Sequence, residues 1–173
     1  MADVVAEFRA PWSRGLRLAT VVSASILLLL PVSGLLAGPR MPWLWWVAMV
    51  ILPLVVLAAA LPFMVLGYVL TERTIEIRRL GWVSTLPLTA LEAASGNVEL
   101  LHGSWRIFGN GGLFSITGWF WNRQLGVYRA FATDPSRAVI LKFRNRRPVV
   151  ITPHDTQHFL VRVRKLIELA AAR

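Results

Sequence analysis

In the stretch LPFMVLGYVLTERTIEIRR, residues 61–79, one kind of chain gives way to another. Up to Pro62 the sequence is an unbroken apolar run, and from Gly67 onward it takes on the two-residue period of strands. Thr74-Ile75-Glu76-Ile77-Arg78 alternates strictly, which places Ile75 and Ile77 together on an inward face. Pro62 and Gly67 mark the exit from helix, because neither sustains a regular helical interior.

Upstream of this switch, Leu18–Pro39 is 22 residues without a charge and Met41–Thr71 is 31 more, with Arg40 alone between them. Roughly 20 apolar residues cross a bilayer core as a helix. The sequence therefore predicts a transmembrane hairpin with spans at 18–37 and 43–65, preceded by a cytoplasmic segment at 1–17. A cleaved signal peptide fits less well: the apolar region is long, Asp3 and Glu7 precede it, and a second span follows at once. Arg9, Arg14 and Arg17 precede the first span, and Arg73, Arg78 and Arg79 follow the second. Positive residues stay inside, so both termini are expected in the cytoplasm of a multi-pass protein of the cell membrane. Trp43, Trp45 and Trp46 are then expected at the outer interface and Tyr68 at the inner one. No ionisable residue lies within either span, which argues against a pump, proton relay or ion pathway in this chain alone. Pro31, Pro53 and Pro62 should kink the helices. Gly34 and Gly38 form a G-x-x-x-G that either brings helices close or simply ends a helix.

The composition of the 173 residues agrees with this partition. Hydrophobic residues make up 55% and charged residues only 16%, whereas a soluble domain carries about 25% charge. The absence of cysteine excludes disulfides, thiol redox chemistry, Cys nucleophiles and Cys-based zinc sites. Residues 1–71 carry a net +2 and residues 72–173 a net +8, so the excess charge lies in the second half. Either topology alone explains that excess, or the basic surface attracts an anionic leaflet.

The second half predicts about seven short strands. They fall at Gly67–Thr71, Thr74–Arg78, Val83–Leu86, Val98–Leu101, Gly126–Ala132, Ala138–Phe143 and Val149–Ile151, with Thr89–Gly96 as a loop or short helix. Gly81-Trp82 is a tight turn, and Arg144-Asn145-Arg146-Arg147 makes a basic hairpin tip. Thr152-Pro153-His154-Asp155 then starts a helix, with Thr152 as N-cap, and Phe159, Val163, Leu166, Ile167 and Ala170 form its apolar stripe. The fold class is thus an α+β membrane protein: a two-helix hairpin, then a small β-barrel or sandwich over residues 66–173 capped by an amphipathic C-terminal helix.

Three stretches carry a family resemblance: GYVLTERTIEIRRLGWVSTLPL (67–88), RIFGNGGLFSITGWFWNRQLGVYRAFATD (106–134) and AVILKFRNRRPVVITPHDTQHFL (138–160). With the opening FRAPWSRGLRLAT (8–20), they resemble bacterial pleckstrin-homology-like (PH-like) domains that follow membrane helices. The resemblance implies the PH-like fold and a membrane-tethered binding module, and it implies no activity. Phosphoinositide-binding PH domains carry Lys and Arg in a set pattern around the first hairpin, which Glu72-Arg73 and Glu76-Ile77-Arg78-Arg79 do not match. Many eukaryotic members also hold a Trp in the final helix, and here none follows Trp121.

Three segments are candidate contacts. In the first, Arg106 with Gly109, Gly111 and Gly112 forms either an anion cradle of backbone N–H groups or a structural turn; it matches neither a P-loop nor G-x-G-x-x-G. In the second, Trp119 and Trp121 share a strand face and either fill the core or dock at a membrane or partner. The third is the tip with Arg144, Arg146 and Arg147, solvated or bound to phosphates. His154 and His158 have metal-like spacing, but H-D-T-Q-H lacks the Glu of H-E-x-x-H, and no metal or cofactor is expected. Ser104, Ser115 and Ser136 have no adjacent base in sequence, and the seven acids of the second half are mostly isolated or beside Arg, so no catalysis is expected. No base-reading helix points to nucleic acid. The expected function is a non-catalytic scaffold or adaptor that binds a protein partner or self-associates at the membrane. The alternatives are a module sensing anionic lipid headgroups and an accessory subunit of a transporter or envelope enzyme.

Overall fold

The computed structural model describes residues 4–36 and 42–171. The connecting turn with Ala37, Gly38 and Arg40 lies outside the described residues, and so does the second half of the G-x-x-x-G. Two helices, α1 (Arg14–Leu36) and α2 (Trp43–Phe63), are long and apolar enough to cross a membrane. Their apolar side chains are mostly uncovered by protein, unlike those of a buried core helix, which is consistent with membrane anchoring. Pro31 lies inside α1, while α2 carries a π-helical stretch at Val47–Ile51 and ends in a tight 3-10 turn, Leu61–Phe63. Gly34 is the point of close approach: a Cβ there would meet Met49 Cβ and Val50 Cγ2 of α2 at 3.0 Å.

Among the described residues, ten strands form two sheets that pack as a sandwich, with no closed barrel. The first sheet has the order β1 (Val4–Arg9), β2 (Val65–Thr71), β3 (Thr74–Arg79), β4 (Val83–Pro87). The second comprises β5 (Leu91–Ser95), β6 (Trp105–Gly111), β7 (Ile116–Asn122), β8 (Gly126–Ala132), β9 (Val139–Phe143) and β10 (Arg146–Ile151), in the order β5-β9-β10-β8-β7-β6. The β8–β10 pairing is parallel and the other pairings are antiparallel. The segment before the first span supplies β1, which pairs with β2 from beyond the second span, Phe8 opposite Tyr68. Both ends of the hairpin therefore meet in one sheet.

Alternation decides the core. Ile75 and Ile77 of β3 and Val139 and Leu141 of β9 are fully buried between the sheets with Phe131, Ile151 and Tyr68. Helix α3 (Thr156–Ala171) closes this core with Phe159 and Val163. The other face of the larger sheet carries a second cluster of Tyr128, Ala130, Ala138, Ile140 and Val150, covered in part by Leu100 and Leu101.

Four local expectations are corrected. Val98–Leu101 is a 3-10 turn, because the Asn97 side chain accepts from Glu99 N at 3.1 Å and starts a helical turn. Leu91–Ser95, inside the expected loop, is a strand because β9 offers it a ladder and the core takes Leu91 and Ala94. Helix α3 starts four residues after Thr152: the Asp155 carboxylate accepts from His158 N at 2.9 Å. Thr152 is buried in the sheet network, where its hydroxyl accepts from Thr133 N at 2.9 Å. Tyr68, expected at the membrane interface, is 0% exposed and bridges the two sheets.

Candidate functional site

The sandwich docks on the helical hairpin at two places. At the first, the hairpin of β6 and β7 meets α1: Thr20 Oγ1 donates to Gly112 O at 3.0 Å and accepts from Phe114 N at 3.0 Å. Ser115 Oγ adds a bond to the Phe63 carbonyl at 3.1 Å, a group left free at the end of α2. At the second, the turn after β3 meets the exit of α2. Leu80 N and Gly81 N donate to Met64 O and Pro62 O, and the Trp82 ring stands edge-on to Phe63 at 5.0 Å.

Between these contacts lies a cavity of about 670 Å³. One wall is the last two turns of α2, with Val56, Ala59, Ala60 and Phe63. The opposite wall is the sandwich, with Arg79, Arg106, Phe108, Trp119, Arg129 and Phe131. A neighbouring cavity of about 390 Å³ shares Trp119, Arg129 and Phe131 and adds Arg146 and Arg147. No carboxylate is among the described residues lining either one.

The arginines and rings alternate. The Arg79 guanidinium lies 4.6 Å from the Trp82 ring centre and 4.9 Å from that of Phe131. Arg129 lies 4.7 Å from Phe131 and 5.6 Å from Trp119, and Arg147 lies 5.3 Å from Trp119. Register explains this row. Trp119 of β7 is opposite Arg129 of β8 and Arg129 is opposite Val149 of β10, while the shift of register between Arg146 and Val149 brings Arg147 to the Trp119 ring. That face continues into the core through Phe131 and Ile151, so the row occupies the open mouth between the sheets. Ring faces attract cations and hold the guanidinium groups in place without neutralising them.

Arg79 is the most constrained member. It is 6% exposed, one of its terminal nitrogens donates to Ser84 Oγ, and its Nε–H has no acceptor among the described residues. Burial, and secondarily repulsion from Arg129, lowers its pKa to about 10. The guanidinium is still charged at neutral pH. Arg78, by contrast, is exposed and pairs with Glu7 at 3.1 Å.

The expected contact residues divide. Arg106, Gly109, Trp119, Arg146 and Arg147 line the joined cavities. Gly112 is the docking point on α1, where a Cβ would meet Ala19 at 3.3 Å. Its N–H and that of Leu113 are taken by Asn110 Oδ1 at 3.2 and 3.0 Å. Gly109 faces Gly118 across the β6–β7 pair so closely that a Cβ on Gly118 would lie 2.8 Å from Gly109 Cα. The Arg106 side chain lies over Gly111. Trp121 is exposed beside Trp105, its partner in the β6–β7 register. Arg144 is outside the cavities and pairs with Glu92 at 3.4 Å. Sequence reasoning missed Arg79 as a site residue. The available signal was parity: Arg79 follows Ile75 and Ile77 on the inward face of β3.

A two-sheet sandwich capped by a helix, with two apolar helices inserted between β1 and β2, is the architecture of a PH-like domain and is consistent with membrane anchoring. The family model described as bacterial PH domain matches residues 66–167, and the chain belongs to that family. No curated protein and no solved structure matches the chain. Family membership supports a binding or scaffold module in general, a class that is generally non-catalytic.

Proposed function

We propose that the chain is a non-catalytic, membrane-tethered module that binds anionic headgroups at the cytoplasmic face of the cell membrane. The observation that carries this is the row of Arg79, Arg129 and Arg147 interleaved with Trp82, Phe131 and Trp119, without a carboxylate, at the exit of α2. Guanidinium groups so placed favour phosphate and carboxylate oxygens, and the low dielectric beside the bilayer strengthens each contact. The cytoplasmic orientation rests on the arginines flanking the spans and on the β1–β2 pairing that keeps both ends of the hairpin on one side. As a test, the full chain is reconstituted in nanodiscs with equal phosphatidylcholine and phosphatidylglycerol, extracted in neutral detergent, and its retained lipid is quantified. Enrichment of phosphatidylglycerol that is lost on Arg129→Ala with Arg147→Ala supports the reading. A retained ratio equal to the bulk sinks it.

A scaffold or adaptor role is the second reading. The specific observation is the edge strand β6, whose Trp105 and Phe108 are 73% and 75% exposed. Open edges with large apolar side chains favour pairing with another chain. A photo-crosslinker at position 105 in the native membrane should trap one discrete adduct, either a dimer or a complex with another protein.

A further inference from the structure

The wall of the junction cavity that comes from α2 is apolar, while the wall from the sandwich carries three arginines. We infer that its occupant is a single anionic amphiphile, with its charged group on Arg79, Arg106 and Arg129 and its alkyl chain against Val56, Ala59, Ala60 and Phe63. This rests on the anionic reading above and adds the class of ligand.

Three observations converge on it. First, Arg79 is nearly fully buried, keeps an unpartnered Nε–H and has another cation as its neighbour. A buried cation is normally paired, so the missing counter-charge belongs to the ligand. Second, Val56 and Ala59 line the cavity and are also exposed along a helix read as crossing the membrane. A chain can therefore enter sideways from the bilayer, and the two alanines leave room for it where larger side chains would not. Third, a small inorganic anion would leave the apolar wall against water, whereas an alkyl chain covers it, each buried methylene raising affinity up to about fourfold. The volume of about 670 Å³ suits one headgroup with part of a chain.

The test uses the full chain in dodecyl maltoside, with bound ligand counted by native mass spectrometry. The probes are oleoyl lysophosphatidate, oleoyl lysophosphatidylcholine and glycerol phosphate, which separate charge from chain. The expected result is one lysophosphatidate per chain, bound about tenfold or more tighter than either other probe. Arg129→Ala and Ala59→Trp should each weaken it by about tenfold, and Arg129→Lys by less. Both positions are exposed, and melting temperatures verify that the variants fold. Should Ala59→Trp disturb the hairpin, Val56→Trp blocks the same wall.

Suppose glycerol phosphate binds as tightly as lysophosphatidate, and Arg129→Ala weakens both while Ala59→Trp weakens neither. The amphiphile inference then fails and the anionic site stands. If lysophosphatidylcholine binds equally well and Arg129→Ala has no effect, both fail.

Discussion

The Tyr68 hydroxyl donates a 2.6 Å hydrogen bond to the Phe131 carbonyl, joining the second strand of one sheet to the central strands of the other. The same oxygen accepts from Thr152 N at 3.1 Å, so one phenol satisfies two backbone groups in a fully buried place. Tyr68→Phe keeps the ring and strands both groups. It should lower domain stability by about 1–3 kcal/mol, measured by thermal or denaturant unfolding in detergent.

The same residue predicts an alkaline limit. Burial, offset in part by the bonds to Thr152, pushes the Tyr68 pKa from 10.0 up to about 12. Its stabilising contribution is fully present below pH 10 and is lost as pH rises from about 10 to about 12, since the unfolded phenol ionises first. Arg79 acts in the opposite sense: its pKa is lowered to about 10, so the cost of burying its charge is relieved above that pH. Comparing the wild type with Tyr68→Phe isolates the tyrosine. The stability gap between them should shrink across that window, and a constant gap would contradict the assignment.

Residues before the first span belong to the sandwich. Phe8 is buried against Phe159, edge to face at 5.1 Å, and β1 covers the outer edge of β2. Phe8→Ala should cost about 3–5 kcal/mol of domain stability. A soluble fragment beginning at residue 67 lacks this strand and part of β2, and should unfold at markedly lower denaturant than one in which residues 4–10 are joined to residues 64–171 by a flexible linker. Circular dichroism of the two fragments measures the difference.

The glycine pair across β6 and β7 sets how closely those strands meet. Gly118 has φ of 147°, and a Cβ there would press on Phe108 and Gly109 of β6. Gly118→Ala should displace β6, open the junction cavity and change Trp119 emission, with faster amide exchange confined to β6 and β7. An equivalent substitution at Gly103, where a Cβ meets nothing within 4 Å, should leave emission unchanged despite its φ of 69°.

Helix packing in the hairpin offers a separate check. Gly34→Leu would force α1 away from Met49 and Val50, because a Cβ alone already reaches 3.0 Å. That variant should melt at a lower temperature in detergent than the wild type, followed by circular dichroism of the helices.

Much of the architecture was legible along the chain because its signals are local. An uncharged apolar run reports a span whatever surrounds it, and the alternation of Thr74–Arg78 reports a strand face. Tertiary partners decided what local signals could not. Leu91–Ser95 has weak strand character and becomes β5 only because β9 presents an edge to it. Val98–Leu101 looks strand-like and turns instead around the Asn97 cap. Gly109, Trp119 and Arg147 were visible as unusual residues, yet nothing in their spacing showed that residues of β3, β4, β6, β7, β8 and β10 and the end of α2 meet around them.

Periodicity and charge segregation act within a few residues, so the two apolar helices, the small β domain with its capping helix and the basic excess of the second half follow from the order of residues alone. Folding in three dimensions pairs the strand before α1 with the strand after α2, makes Tyr68 a tie between the sheets rather than an interface marker, and sets Arg79 between Trp82 and Phe131. Those relationships join residues far apart in the chain. Their energy comes from burial and pairing that exist only once the sheets have closed on each other.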